Sequence, residues 1–159
     1  MSGRTAFLDR DGTINEKAPE GEYVTDPGGF RFLPGAEEAV RLLDAGGWRV
    51  VVVSNQRGVA LGRMTMDDVD AVNARMAHLP IEAVYVCPHE RGTCDCRKPG
   101  TGLFERARAE LPDIRFAGAV VIGDAPSDIA AGEAIGARTY RVGAPPLPSL
   151  LDVARELAG

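Results

Sequence analysis

The amino-acid sequence predicts a three-layer α/β domain built on a central parallel sheet, on three observations. Short runs rich in β-branched residues recur along the 159 residues, the middle ones are apolar throughout, and amphipathic segments separate them. Strands that are apolar on both faces are buried on both faces, and helices covering a parallel sheet on its two sides produce that burial. Regular alternation of strand and helix then implies right-handed βαβ units.

Each element has its own signal. TAFL (5–8), RVVVVS (49–54), AVYVC (83–87), AVVI (119–122) and RTYRV (138–142) read as strands. Ala36, Ala39, Val40 and Leu43 recur at helical spacing, as do Met66, Val69, Asn73 and Met76. Ahead of the second set, Thr65 and Asp68 match a loose capping box. Residues 103–111, 127–135 and 147–157 are further helix candidates. Residues 15–34 lack periodicity and carry PEG and DPGG, so they are expected to form a loop or small flap over one end of the sheet.

Composition sets the outer bounds. With 45% hydrophobic and 26% charged residues the chain suits one domain over residues 1–159, since a chain of this length buries about two-thirds of the surface it exposes when unfolded. The charged N-terminal stretch and the absence of any long apolar run argue against a signal peptide or a membrane span, so a cytoplasmic protein is expected. Eighteen Lys and Arg against 23 Asp and Glu leave a net charge of -5, which disfavours duplex nucleic acid as the partner. An anionic ligand would have to be held by a local basic pocket, and no obligate protein partner is evident.

The unusual polar residues gather at the predicted strand ends. Asp9 and Asp11 follow the first strand, Ser54 and Asn55 end the second, Cys87 and His89 the third, and Gly123, Asp124 and Asp128 the fourth. Ligands of open α/β sheets bind at the carboxyl ends of strands. Any one of these residues could be an ordinary turn or cap residue, but that reading does not explain carboxylates, an amide and a hydroxyl converging on one rim. Clustered carboxylates need a cation to stay ionised, and hard oxygen ligands suit Mg²⁺, which commonly bridges carboxylates to a substrate phosphate. One carboxylate can then attack phosphorus while a second handles the leaving-group proton. In extended backbone, residues i and i+2 share a face, so Asp9 and Asp11 can both reach such a site, with Gly12 permitting the turn that follows.

DRDGT (9–13), SN (54–55), RKP (97–99) and GDAPSD (123–128) resemble, in order, the four motifs of the haloacid dehalogenase (HAD) superfamily phosphatases. The resemblance spans nearly the whole chain and implies Asp9 as nucleophile and Asp11 as general acid/base. It implies Mg²⁺ held by Asp9, the Asp11 main-chain carbonyl and Asp124, with Asp128 orienting the site from behind. Ser54 and Lys98 would hold the transferring phosphoryl group, where a hydroxyl donor and a positive charge suit its oxygens.

All three cysteines lie in CPHERGTCDC (87–96), giving C-x-H-x4-C-x-C. An odd count in a cytoplasmic chain speaks against disulfides, whereas Cys87, His89, Cys94 and Cys96 form the complete ligand set of a structural Zn²⁺. Such a metal would fix the loop that delivers Arg97 and Lys98. This loop, together with NQRGVALG (55–62), is similar to the D-glycero-D-manno-heptose 1,7-bisphosphate phosphatases and the related histidinol-phosphate phosphatases. That resemblance implies a domain without a large cap. It also implies a phosphorylated sugar as substrate, contacted by residues 17–20 (Lys17, Glu20), by Ser54, Asn55, Gln56 and Arg57, and by Arg97. Two departures touch the sugar and leave the chemistry alone: the loop is short between His89 and Cys94, and Ala125 stands where some heptose members have lysine. A phosphatase of nucleic-acid 3′ ends shares related motifs but lacks support from the charge balance. A receiver-like phosphoacceptor or an inactive zinc-held interaction module is the non-enzymatic alternative.

Overall fold

The computed structural model describes residues 3–159. Its strands are β1 (Arg4–Leu8), β2 (Trp48–Asn55), β3 (Ala83–Cys87), β4 (Val120–Gly123) and β5 (Arg138–Arg141). They form one parallel sheet in the order β3-β2-β1-β4-β5. The chain fills the β2 and β3 side first and then crosses to β4, so the order reverses between β1 and β4. At such a switch point the flanking loops splay apart and leave a crevice.

The helices are α1 (Ala36–Ala45), α2 (Met66–Asn73), α3 (Gly102–Glu110), α4 (Pro126–Ala134) and α5 (Leu150–Ala158). Alternation along each strand separates two cores. Ala6, Leu8, Val50, Val52, Val120 and Ile122 pack under α1, α5 and the end of α2. Phe7, Val51, Val53 and Val121 pack under α3 and α4 on the other face, where Phe7 meets Phe104 edge-on at 5.0 Å.

The expected elements are all present, most of them shifted by a residue or two at their ends, where fraying and caps decide the boundary. Thr65 and Asp68 make the reciprocal capping box. The periodic stretch through Met76 is not one helix: α2 stops at Asn73 and a single 3₁₀ turn, Ala74–Met76, carries Met76 into the core. The last helix begins at Leu150, three residues after the expected start at Leu147, because Ser149 caps it with Asp152 closing the box.

Residues 15–34 form a loop with a closed neck. The Glu16 N–H donates to Arg31 O at 2.8 Å and the Leu33 N–H to Ile14 O at 2.9 Å, while Val24 and Phe30 sink into the core. Only the tip, around residues 17–23, stands over the carboxyl ends of the strands.

Candidate active site

A cavity of about 620 Å³ opens at the β1/β4 switch point. Asp9, Asp11, Lys98, Asp124 and Asp128 line its base, with Lys17, Glu20, Asn55, Arg57, Arg91 and Arg97 around it. Backbone geometry explains why two aspartates reach one place. Asp9 continues the β1 ladder, its N–H donating to Ile122 O at 3.0 Å, and the chain then turns at Gly12, whose φ is +85°. A Cβ at Gly12 would sit 2.1 Å from Asp124 Oδ2, so only glycine lets the β1 turn lie against the acid that follows β4.

Lys98 is the centre of charge. It is 3% exposed, and its ammonium donates to Asp9 Oδ1 at 2.9 Å, Asp128 Oδ1 at 2.6 Å and Val53 O at 2.7 Å, using all three protons. Burial pushes its pKa down, but Asp9 and Asp128 outweigh burial and hold it above the ordinary lysine value. The backbone is equally fixed: the Lys98 N–H donates to Asn55 Oδ1 at 3.0 Å, and Asn55 Nδ2 donates back to Lys98 O at 3.2 Å. Asn55, the last residue of β2, is thus a clamp on the Lys98 loop as well as part of the cavity wall.

One cation does not neutralise the carboxylates. Oxygens of Asp9, Asp124 and Asp128 lie within 4.8 Å of one another. Asp128 commits both oxygens, one to Lys98 and the other to the Ala125 N–H at 3.1 Å. Asp9 keeps an oxygen without a protein donor among the described residues, and Asp124 meets Lys17 only as a loose pair at 3.6 Å. Burial and the nearby Asp128 and Asp124 raise Asp9 to about 8 despite Lys98. A hard divalent cation beside Asp9 and Asp124 fits this donor set.

Two expected substrate-facing residues are elsewhere. Gln56 is 1% exposed and does not line the cavity, because its amide donates to Asp11 Oδ2 at 2.8 Å and Ser54 Oγ at 2.7 Å. That corrects the expectation that it touches substrate. Ser54, also 1% exposed, lies behind the cavity wall within the β2 ladder. Arg97 lines the cavity, and its Nη1 is buried with no hydrogen-bond partner.

Sequence reading passed over three charged neighbours. Arg10 lies between the two aspartates and is 1% exposed; a charged residue at i+1 of a strand buried on both faces must find a buried partner, and that was its signal. Glu90 accepts from Arg57 Nε and, at 3.2 Å, from Nη2, tying the β2 loop to the cysteine loop. Arg91 lines the cavity beside it. Neither has a signal beyond its place between His89 and Cys94.

Cys87, His89, Cys94 and Cys96 place one ligand atom each within 4.8 Å of the others. Burial raises the Cys87 and Cys96 thiols. Burial also pushes Cys94 up, but the Arg97 N–H and hydrogen bonds from Cys96 and Cys87 win and bring it down to about 7. Four soft and borderline donors closing on one point fit Zn²⁺ with no position left open.

Comparison with known proteins agrees with this geometry. The HAD-hydrolase-like family matches residues 95–144. The D-glycero-beta-D-manno-heptose-1,7-bisphosphate 7-phosphatase of Vibrio cholerae is 36% identical over 153 residues, covering 87% of this chain and 80% of the relative. The corresponding alpha-heptose enzyme of Mycobacterium tuberculosis is 38% identical over 130 residues, 77% of this chain and 68% of the relative. The crystal structure of the D,D-heptose 1,7-bisphosphate phosphatase of B. bronchiseptica, complexed with magnesium and phosphate, superposes with a TM-score of 0.85 at 28% identity, covering 97% of both chains. With its uncapped five-stranded sheet, its four motifs in order and these relatives over most of its length, the chain belongs to the D-glycero-D-manno-heptose-1,7-bisphosphate 7-phosphatase family of HAD-like hydrolases.

Proposed function

We propose that the protein hydrolyses the 7-phosphate of a heptose 1,7-bisphosphate through a phosphorylated Asp9. The observation that carries this reading is the juxtaposition of Asp9, Lys98 and Asp124 at the base of a cavity whose wall presents Lys17, Arg57, Arg91 and Arg97. The acidic base would hold a cation that offsets phosphoryl charge, and the basic wall suits a substrate with a second phosphate.

Asp9 and Asp124, with the Asp11 carbonyl, would hold Mg²⁺, which supplies positive charge to the phosphoryl oxygens. The Asp9 oxygen without a protein donor attacks phosphorus, and Lys98 offsets negative charge beside it. Asp11 gives a proton to the departing sugar oxygen and later takes one from the water that attacks the aspartyl phosphate. Lys98 steadies the transferring group, and Ser54, buried behind the wall, acts only through the Gln56 amide whose hydrogen bond it accepts. Asp128 holds Lys98 from behind. The unpartnered Arg97 Nη1 offers a donor to the rest of the substrate, and Lys17 and Glu20 from the loop tip with Asn55 and Arg57 complete the pocket. Zn²⁺ on Cys87, His89, Cys94 and Cys96 would fix the loop carrying Arg97 and Lys98. No helix among the described residues is long and apolar enough to cross a membrane, and three reduced cysteines gathered as metal ligands support a cytoplasmic setting.

The test is a panel of both anomers of heptose 1,7-bisphosphate, a heptose monophosphate, histidinol phosphate and a DNA 3′-phosphate, ranked by kcat/KM. A bisphosphate should lead the ranking. Histidinol phosphate in first place would move the substrate to the amino-alcohol phosphate, and no turnover of any phosphate would overturn the enzymatic reading.

A further inference from the structure

Asp9 and Asp11 are two residues apart, yet each has its own cation. Lys98 serves Asp9 at 2.9 Å, and Arg10 serves Asp11: Nε and Nη2 donate to Asp11 Oδ1 at 3.2 and 2.9 Å. The remaining arm of Arg10, Nη1, donates to Asn73 Oδ1 at 2.8 Å. We propose that Arg10, anchored by Asn73 at the end of α2, is a positioning residue that fixes the Asp11 carboxyl for proton transfer to the leaving group and from the attacking water.

Arg10 is among the largest fully buried side chains of the protein. A guanidinium in such a place is tolerated only with partners that fix its plane, because an unpaired buried charge is costly. Here the charged partner is the Asp11 carboxyl itself, and the neutral partner comes from a helix 63 residues away. The Arg10 carbonyl accepts the N–H groups of Thr13, Ile14 and Asn15, so the turn holds the arginine backbone too.

Asp11 has little freedom left. Asn15 Nδ2 donates to the same Oδ1 at 2.9 Å, and Gln56 Nε2 to Oδ2 at 2.8 Å while also reaching Ser54 Oγ at 2.7 Å. One continuous chain of hydrogen bonds therefore runs from Asn73 through Arg10 and Asp11 to Gln56 and Ser54. General acid/base catalysis requires the carboxyl within hydrogen-bond reach of the moving proton. Of the groups in this cage, Arg10 is the one with a rigid anchor outside the catalytic rim.

The inference rests on the proposed phosphatase reading with Asp11 as acid/base, and leaving-group dependence tests it. A 4-nitrophenolate leaves without protonation, whereas a sugar alkoxide needs the proton. Wild type, Arg10→Lys and Asn73→Ala are assayed on 4-nitrophenyl phosphate and on the best alkyl phosphate from the substrate panel, with thermal melts alongside. Arg10→Lys should lower kcat/KM, which reports the step that expels the leaving group and not the later hydrolysis common to both substrates, on the order of 10²-fold on the alkyl phosphate and at least tenfold more than on the aryl phosphate. Asn73→Ala should show the same skew at roughly 5- to 10-fold, and because Asn73 is only half-buried it carries the test if Arg10→Lys fails to fold. Parallel losses on both substrates would assign Arg10 a merely structural role and overturn the inference, as would two variants indistinguishable from wild type. A wild-type protein that hydrolyses neither substrate overturns the phosphatase reading, and this inference with it. Aryl and alkyl turnover by wild type without the skew in the variants overturns the inference alone.

Discussion

The protein has two clusters that would close on a metal, and they are built in opposite ways. Asp9, Asp124, Asp128 and Lys98 come from three separate parts of the chain, and the three aspartates are held by neighbouring strand ends or a helix start that the core stabilises whether or not a ligand is present. Cys87, His89, Cys94 and Cys96 come from ten consecutive residues. Between the end of β3 and the start of α3 there is no regular secondary structure, and few backbone hydrogen bonds hold the loop, such as Gly102 N–H to Asp95 O at 3.0 Å. A rim made by the fold can leave a ligand position open for chemistry; a loop made by its ligands cannot. The two meet at Lys98, which follows Cys96 by two residues and ends in the rim.

The largest expected effect breaks the rim alone. Asp9→Asn should lower kcat on the order of 10⁴-fold or more, since an amide cannot attack phosphorus, while the melting temperature stays near that of wild type. Steady-state turnover of 4-nitrophenyl phosphate with a parallel melt checks this. Activity within tenfold of wild type would remove Asp9 from the nucleophile's role.

Cys94→Ser addresses the loop. Purified wild type should carry about one zinc per chain by mass spectrometry. The variant should lose it and melt roughly 6–12 °C lower, as expected for a loss of about 3 kcal/mol in a domain of this size. Activity should fall as well, because Lys98 loses its rigid approach. A zinc-free wild type would separate the cluster from any structural metal.

Arg97→Ala sits on the seam between the clusters. A charge-assisted contact of about 1.5–3 kcal/mol, made equally in ground and transition states, predicts a KM raised roughly 10- to 150-fold with kcat nearly unchanged. The penalty should shrink on a heptose monophosphate. Equal penalties on mono- and bisphosphate would show that Arg97 does not read the second phosphate.

The smallest effect sharpens the electrostatics of the rim. Without metal, Asp9 keeps its proton in the folded protein up to about pH 8, against 3.8 in the unfolded chain. Folding therefore takes up a proton across that window, and the metal-free protein loses stability as pH rises from about 4 to 8. Mg²⁺ binds the ionised carboxylate, so its gain in melting temperature should be small at pH 5 and roughly 3–6 °C at pH 8. A gain that does not grow with pH would exclude Asp9 as a ligand.

By itself the sequence determined the strand and helix order, the rim on which the polar residues gather, and the Cys/His cluster. Those features are local: period, composition and spacing within a few residues encode them, and right-handed βαβ connection converts the order into a layer. Only the tertiary structure decided how the gathered residues divide the work. Lys98 spends all three protons on groups just past β1, in β2 and in α4. Gln56, adjacent in sequence to cavity-lining Asn55 and Arg57, turns inward to Asp11 and Ser54 because alternation past the end of β2 sends it to the opposite side. Arg10 reaches Asn73 across 63 residues and Arg57 reaches Glu90 across 33. No periodicity reports such pairings, because each depends on which helix or loop the packed core brings alongside.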